Sequence, residues 1–114
     1  MNKFYDTCSL LKKANTLFED SEHFAISSIT LEELENIKTS TNRDSDIKYS
    51  ARVLLRELDA HMKEYDLIVF TNSMLEPIIA KDLPITNDTK ILACAINYKA
   101  DVFITNDLAL KALA

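Results

Sequence analysis

Lys3–Leu11 reads KFYDTCSLL. It opens as a buried β-strand and turns polar within three residues, with Asp6 where the strand should meet a loop and Thr7, Cys8 and Ser9 behind it. In α/β proteins the carboxyl ends of parallel strands carry the chemistry. A carboxylate at that place is either a helix cap or a site residue. The rest of the chain has to decide which.

Working outward, Leu10, Leu11, Ala14, Leu17 and Phe18 recur at helical spacing and predict one or two short helices. Phe24–Ser27, FAIS, predicts a second strand. Ser28 and Thr30 are candidate caps for a helix through TLEELENIK, with Leu31, Leu34 and Ile37 as its apolar stripe. The polar run Thr39–Asp46 reads as a loop that caps the next helix. Ile47, Ala51, Leu54, Leu55, Leu58 and Met62 mark that helix, the clearest amphipathic one of the chain.

Leu67–Thr71, LIVFT, is the strongest strand signal, and its apolar character on both faces suits a sheet covered on both sides. Pro77 and Pro84 punctuate a stretch of short helix or loop. A helix is expected from Asn87 to about Lys99, with Ile91, Leu92, Ala95 and Ile96 buried. Asp101–Thr105, DVFIT, is a further strand, and Leu108–Ala114 begins a helix. Strands alternating with helices predict one α/β domain over residues 1–114, a three-layer α/β/α sandwich around a central parallel sheet. Because the sequence stops inside a helical pattern, the expectation is a domain lacking its last strand, or the N-terminal part of a longer chain.

Composition narrows the chemistry. With 114 residues, 47% hydrophobic and 27% charged, the chain has the profile of an ordinary globular domain. No apolar run approaches the roughly eighteen residues of a membrane span, and no secretory signal is evident. Cys8 and Cys94 form no disulfide framework, which suits a reducing cytoplasm. Gly is 0, which excludes Gly-rich phosphate loops. Two His and two Cys leave few transition-metal ligands, whereas Asp and Glu total 18. The net charge of −5 speaks against a plain phosphate-backbone binder, but not against an enzyme that meets nucleic acid through bound cations. Carboxylate chemistry is what remains.

Four carboxylates share a predicted edge. Asp6 ends the first strand, Glu33 borders an apolar stripe, Asp88 lies in the first turn of its helix on the side of Ile91 and Leu92, and Asp107 follows the strand VFIT. Each has a local explanation: a cap for Asp6, a stripe-edge glutamate for Glu33, the helix dipole for Asp88, and a cap for Asp107 with Asn106 as its rival. None of these explanations predicts convergence. Carboxylates in one cleft repel unless protons or cations compensate, and an oxygen-only set favours Mg²⁺ or Mn²⁺. Such ions activate water and orient phosphate, which makes phosphodiester hydrolysis the most economical chemistry. Thr105 and Asn106 are candidates for holding water or substrate, or are turn residues.

KFYDTCSLL, ITLEEL, NDTKILACA and VFITND resemble, in order and spacing, the acidic motifs of PIN-domain ribonucleases. That resemblance implies metal-dependent cleavage of single-stranded RNA, with Asp6, Glu33, Asp88 and Asp107 at the four acidic positions and Thr105 as companion to Asp107. Cys8 departs from it, standing where the family often has Asn. The motifs look closest to PIN domains fused ahead of a PhoH-type ATPase, while VapC-type toxins share the acidic positions. The partners left open are therefore a C-terminal ATPase, an antitoxin and a second copy of the chain. Arg43, Lys48, Arg52 and Arg56 could steer RNA, or form a solvated helix face. Two other readings stand beside this one: a non-catalytic RNA- or protein-binding module, and a phosphatase or DNA flap nuclease with related carboxylates.

Overall fold

The computed structural model describes residues 2–13, 16–19 and 22–105. In chain order the elements are β1 (Lys3–Tyr5), α1 (Thr7–Lys13), β2 (Phe24–Ser27), α2 (Ser28–Thr39), α3 (Ser45–Ala60) and β3 (Tyr65–Ile68). A 3-10 turn (Asn72–Leu75) then leads into α4 (Glu76–Ala80), α5 (Asn87–Tyr98) and β4 (Val102–Ile104). The helix expected from Leu108 and the Ala14 position of the first helical pattern lie outside the described residues.

The four described strands pair in parallel in the order β3-β2-β1-β4. Side chains alternate across this sheet as the two-residue period of a strand requires. Tyr5, Phe24 and Ile26 pack with Leu10 of α1, Leu34 and Ile37 of α2, and Ala51, Leu54 and Leu58 of α3. Phe4 and Ala25 point the other way, onto Ile91, Cys94 and Ala95 of α5. Beyond them, Leu75 and Ile78 close against Leu92 and Ala93. Helices thus cover both faces, and the α/β sandwich expected from the sequence is the observed one. Leu54 is fully buried, so Leu54→Ala removes packing worth about 2–5 kcal/mol.

Four details differ from the expectations. The third strand is Tyr65–Ile68, not 67–71, because β2 runs from Phe24 to Ser27 and offers partners only to those residues. Among the described strands it also lies at the edge of the sheet, with Leu67 43% and Val69 61% exposed, so its apolar run is not covered on both sides. Ser27, rather than Ser28 or Thr30, caps α2, its Oγ accepting from Ile29 N at 3.0 Å. The strand passes into the helix without a loop, which moves the cap one residue back. Ser28 Oγ instead accepts from Phe70 N (2.9 Å), and Thr30 is fully buried.

The other two differences concern helix faces. Ile47 and Met62 are exposed, Met62 lying beyond the end of α3, so the buried stripe is Ala51, Leu54 and Leu58. Ile96 of α5 is exposed too, while Thr89, Ala93 and Cys94 are buried. That wider arc follows from α5 packing against both the sheet and the Leu75–Ile78 layer.

Candidate active site

Chain direction across the sheet fixes where a site can form. From β1 the chain moves to β2 and then β3, and afterwards returns to place β4 on the opposite side of β1. The crevice at the carboxyl ends of β1 and β4 is therefore the topological switch point, where open α/β sheets take their ligands. Asp6 follows β1 and Thr105 follows β4. Both are at this point.

Asp6 is held from three sides. Its backbone N–H donates to Ile104 O (3.1 Å), completing the β1–β4 ladder. Its Oδ1 accepts from Ser9 N at 2.8 Å, and its carbonyl accepts from Leu10 N at 3.2 Å, which makes it the cap of α1. Its Oδ2 accepts from the Thr105 hydroxyl. Asp6 is 5% exposed and Thr105 3%. A carboxylate offers about four lone-pair positions, so these two side-chain bonds fix its orientation and leave acceptor capacity on each oxygen. Capping and ligand binding are compatible in one residue.

Glu33 reaches the same place through its neighbour's hydroxyl. Thr7 Oγ1, one residue after Asp6, contacts Glu33 Oε1 at 2.6 Å and Thr30 Oγ1 at 3.1 Å. Thr30 and Glu33 are three residues apart and share a helix face, and a buried hydroxyl from α1 ties both. The sequence reading missed Thr7 and Thr30 as positioning groups. The Thr next to Asp6 and the i, i+3 spacing to Glu33 were the signals that could have found them.

Asp88 does not share the sheet-facing side of α5, as the spacing suggested. Thr89 takes the inward position, completing a reciprocal cap with Thr86 and donating to Pro84 O at 2.8 Å. One helical step earlier, Asp88 is turned outward and is exposed. Its charge nevertheless bears on the same neighbourhood. Cys8, an accessible residue whose thiol loses part of its hydration to its neighbours, has its pKa raised first by that desolvation, then by Asp6, Asp88 and Glu33, with Arg43 opposing. Asp6, Asp88 and Glu33 all bear on the Cys8 thiol. Asn106 and Asp107 lie outside the described residues.

Among the described residues, no group of three His, Cys, Asp or Glu side chains stands close enough to hold a metal ion. The donors that line the rim are carboxylate oxygens braced by neutral hydroxyl and amide groups. Oxygen donors of this kind are the ones hard cations take.

Against known proteins, the family model described as "PIN domain" matches residues 4–114. A solved structure with a similar fold is VapBC2 from Rickettsia felis bound to a DNA fragment from their promoter. The TM-score is 0.58 at 23% identity, over 98% of this chain and 92% of that one. No curated protein matches the chain.

Proposed function

The chain belongs to the PIN-domain family, and on that premise we propose that it is a Mg²⁺- or Mn²⁺-dependent endoribonuclease that hydrolyses phosphodiester bonds of single-stranded RNA. Asp6, Glu33, Asp88 and Asp107 would hold the ion. One observation carries the reading: the buried Asp6 carboxylate at the switch point, fixed by Ser9 N and the Thr105 hydroxyl, with Thr7, the next residue, bonded to Glu33.

When bound, a hard divalent cation supplies activated water and stabilises charge on the attacking and leaving oxygens. The chain's own residues supply position. Thr105 and Ser9 hold the Asp6 carboxylate in one orientation, so no reorganisation is needed when charge develops. Thr7 does the same for Glu33. Asp88, exposed in the first turn of α5, would join them from the solvent side. Thr105 is a positioning residue in this scheme, and Asn106 beside Asp107 is proposed for water or substrate.

We also propose a cytoplasmic protein with an antitoxin-type partner, a reading supported by the likeness to VapBC2. A C-terminal PhoH-type ATPase is its rival. Single-stranded RNA cleaved in Mn²⁺, with activity lost in EDTA and no matching cleavage of single-stranded or flap DNA, is the expected result. Metal-independent cleavage would exclude the proposal.

The outward Asp88 favours a second reading, a non-catalytic RNA- or protein-binding module. Calorimetric titration separates the two: Mn²⁺ uptake at millimolar metal is expected of the nuclease, and none of the module.

A further inference from the structure

Two clefts meet at Arg43, on the loop between α2 and α3. One, of about 280 Å³, is lined by Glu33, Asn36, Ser40, Arg43 and Asn87. The other, of about 400 Å³, runs past Cys8, Leu11 and Ile47 on the far side of the same arginine. Glu33 forms one wall of the first, and Asn87 is the residue before Asp88. Both clefts therefore border the carboxylate rim, and Arg43 stands between them.

The chemistry of the smaller cleft is specific. Asn36 and Asn87 each present an amide able to donate and accept at once, which is what a nucleobase edge requires. A guanidinium offers a planar fork of donors that matches phosphate. Arg43 is exposed, and among the described residues no carboxylate forms an ion pair with it. The volume stands near the lower end of ligand-sized sites, about 300 Å³. That is room for a single nucleotide unit.

Lys12 and the Asp46 carboxylate line the larger of these two clefts with Arg43, whereas the other two arginines are placed differently. Arg52 and Arg56 line a separate groove, together with Lys38, Glu35 and Asp59. Lys38 is already paired with Glu35 at 3.0 Å.

Building on the nuclease reading above, we infer that Arg43 clamps a backbone phosphate of the RNA substrate. The Glu33–Asn36–Ser40–Asn87 cleft receives the adjoining nucleotide, so that the strand crosses the carboxylate rim from one cleft to the other. Arg52 and Arg56 take no part in this path. Net charge alone could not have singled out one arginine of three, since the three are not distinguished until the loop and both clefts are in place.

The test is fluorescence anisotropy of a labelled ten-nucleotide single-stranded RNA across a salt series. Ca²⁺ replaces Mn²⁺ in the binding buffer, and the full chain is used throughout. Arg43→Ala is expected to weaken binding about tenfold and to reduce the slope of log K against log salt by about 0.7. Arg43→Lys should restore the slope but not the full affinity, because a point charge replaces the fork. Arg52→Ala should match the unsubstituted protein in both quantities, and Mn²⁺ uptake by calorimetry should be the same in all four proteins. If Arg43→Ala keeps full affinity and slope in a protein that still cleaves RNA, the inference is overturned and the nuclease reading survives. A protein that takes up Mn²⁺ but binds no RNA overturns both.

Discussion

Two concave regions of the molecule invite comparison. The groove between α2, α3 and β3 is the larger, about 620 Å³, against about 280 Å³ for the cleft beside Glu33. Its walls combine apolar side chains, Leu55, Met62 and Leu67, with both signs of charge, and one of its cations is already paired. At the carboxyl ends of β1 and β4, by contrast, the acids are braced by neutral donors: Ser9 N and Thr105 for Asp6, Thr7 for Glu33. A carboxylate oriented by hydroxyl and amide groups keeps its negative charge for something else. Size identifies the first region, placement of charge the second, and the proposed chemistry belongs to the second.

If that contrast is right, substitutions should have unequal effects. Glu33→Gln preserves the Thr7 contact but removes the charge, and Mn²⁺-dependent RNA cleavage should fall by about 100-fold or more, since a ligand should matter at least as much as a group that orients one. Thr105→Val removes the hydroxyl from Asp6; cleavage and Mn²⁺ affinity should drop about 10–100-fold. Thr105→Ser should recover both, which a purely structural role for the threonine would not produce. In the larger groove, Arg52→Ala combined with Arg56→Ala should change kcat/KM for a short RNA by less than about twofold, because exposed charges away from the site act mainly through screened, long-range attraction. A large loss there would move the substrate path to β3.

The smallest effect concerns Asp66, on strand β3. The hydrogen bond with His23 (2.9 Å) holds its pKa below the usual carboxylate range; burial opposes this, and the Tyr98 hydroxyl and the His23 charge add to the lowering. A folded pKa below the unfolded one stabilises the fold above the unfolded value and loses that contribution as pH falls through the folded one. Asp66 is largely exposed, so Asp66→Asn should flatten the acid limb of a thermal-melting profile only slightly and leave cleavage unaltered.

How much of this could be read from the chain differs from element to element. The alternation of short apolar runs with amphipathic helices was sufficient for the layers, because parallel sheets covered by helices leave that imprint. Asp6 at a strand end was equally readable. What could not be read was which residue of a pair turns inward. Asp88 and Thr89 are adjacent polar residues, and the cap made by Thr86 and Thr89 decides between them. Likewise, the LIVFT run carries strand character past Ile68, but pairing is limited by where β2 turns into α2. Thr7 and Thr30 are ordinary polar residues in the sequence, and only the packing of α1 on α2 brings their hydroxyls together. Local pattern is in the sequence, while partnership across elements needs the fold.

The most direct test of the account is Asp6→Asn. Asn caps helices about as well as Asp, and its amide oxygen can still accept from Ser9 N, so the fold should persist, with a melting temperature within a few degrees of the unsubstituted protein. With capping retained and the charge removed, the account predicts that calorimetric Mn²⁺ binding and RNA cleavage are both lost. Undiminished cleavage by a folded Asp6→Asn protein would contradict it, leaving Asp6 as the cap of α1 and nothing more.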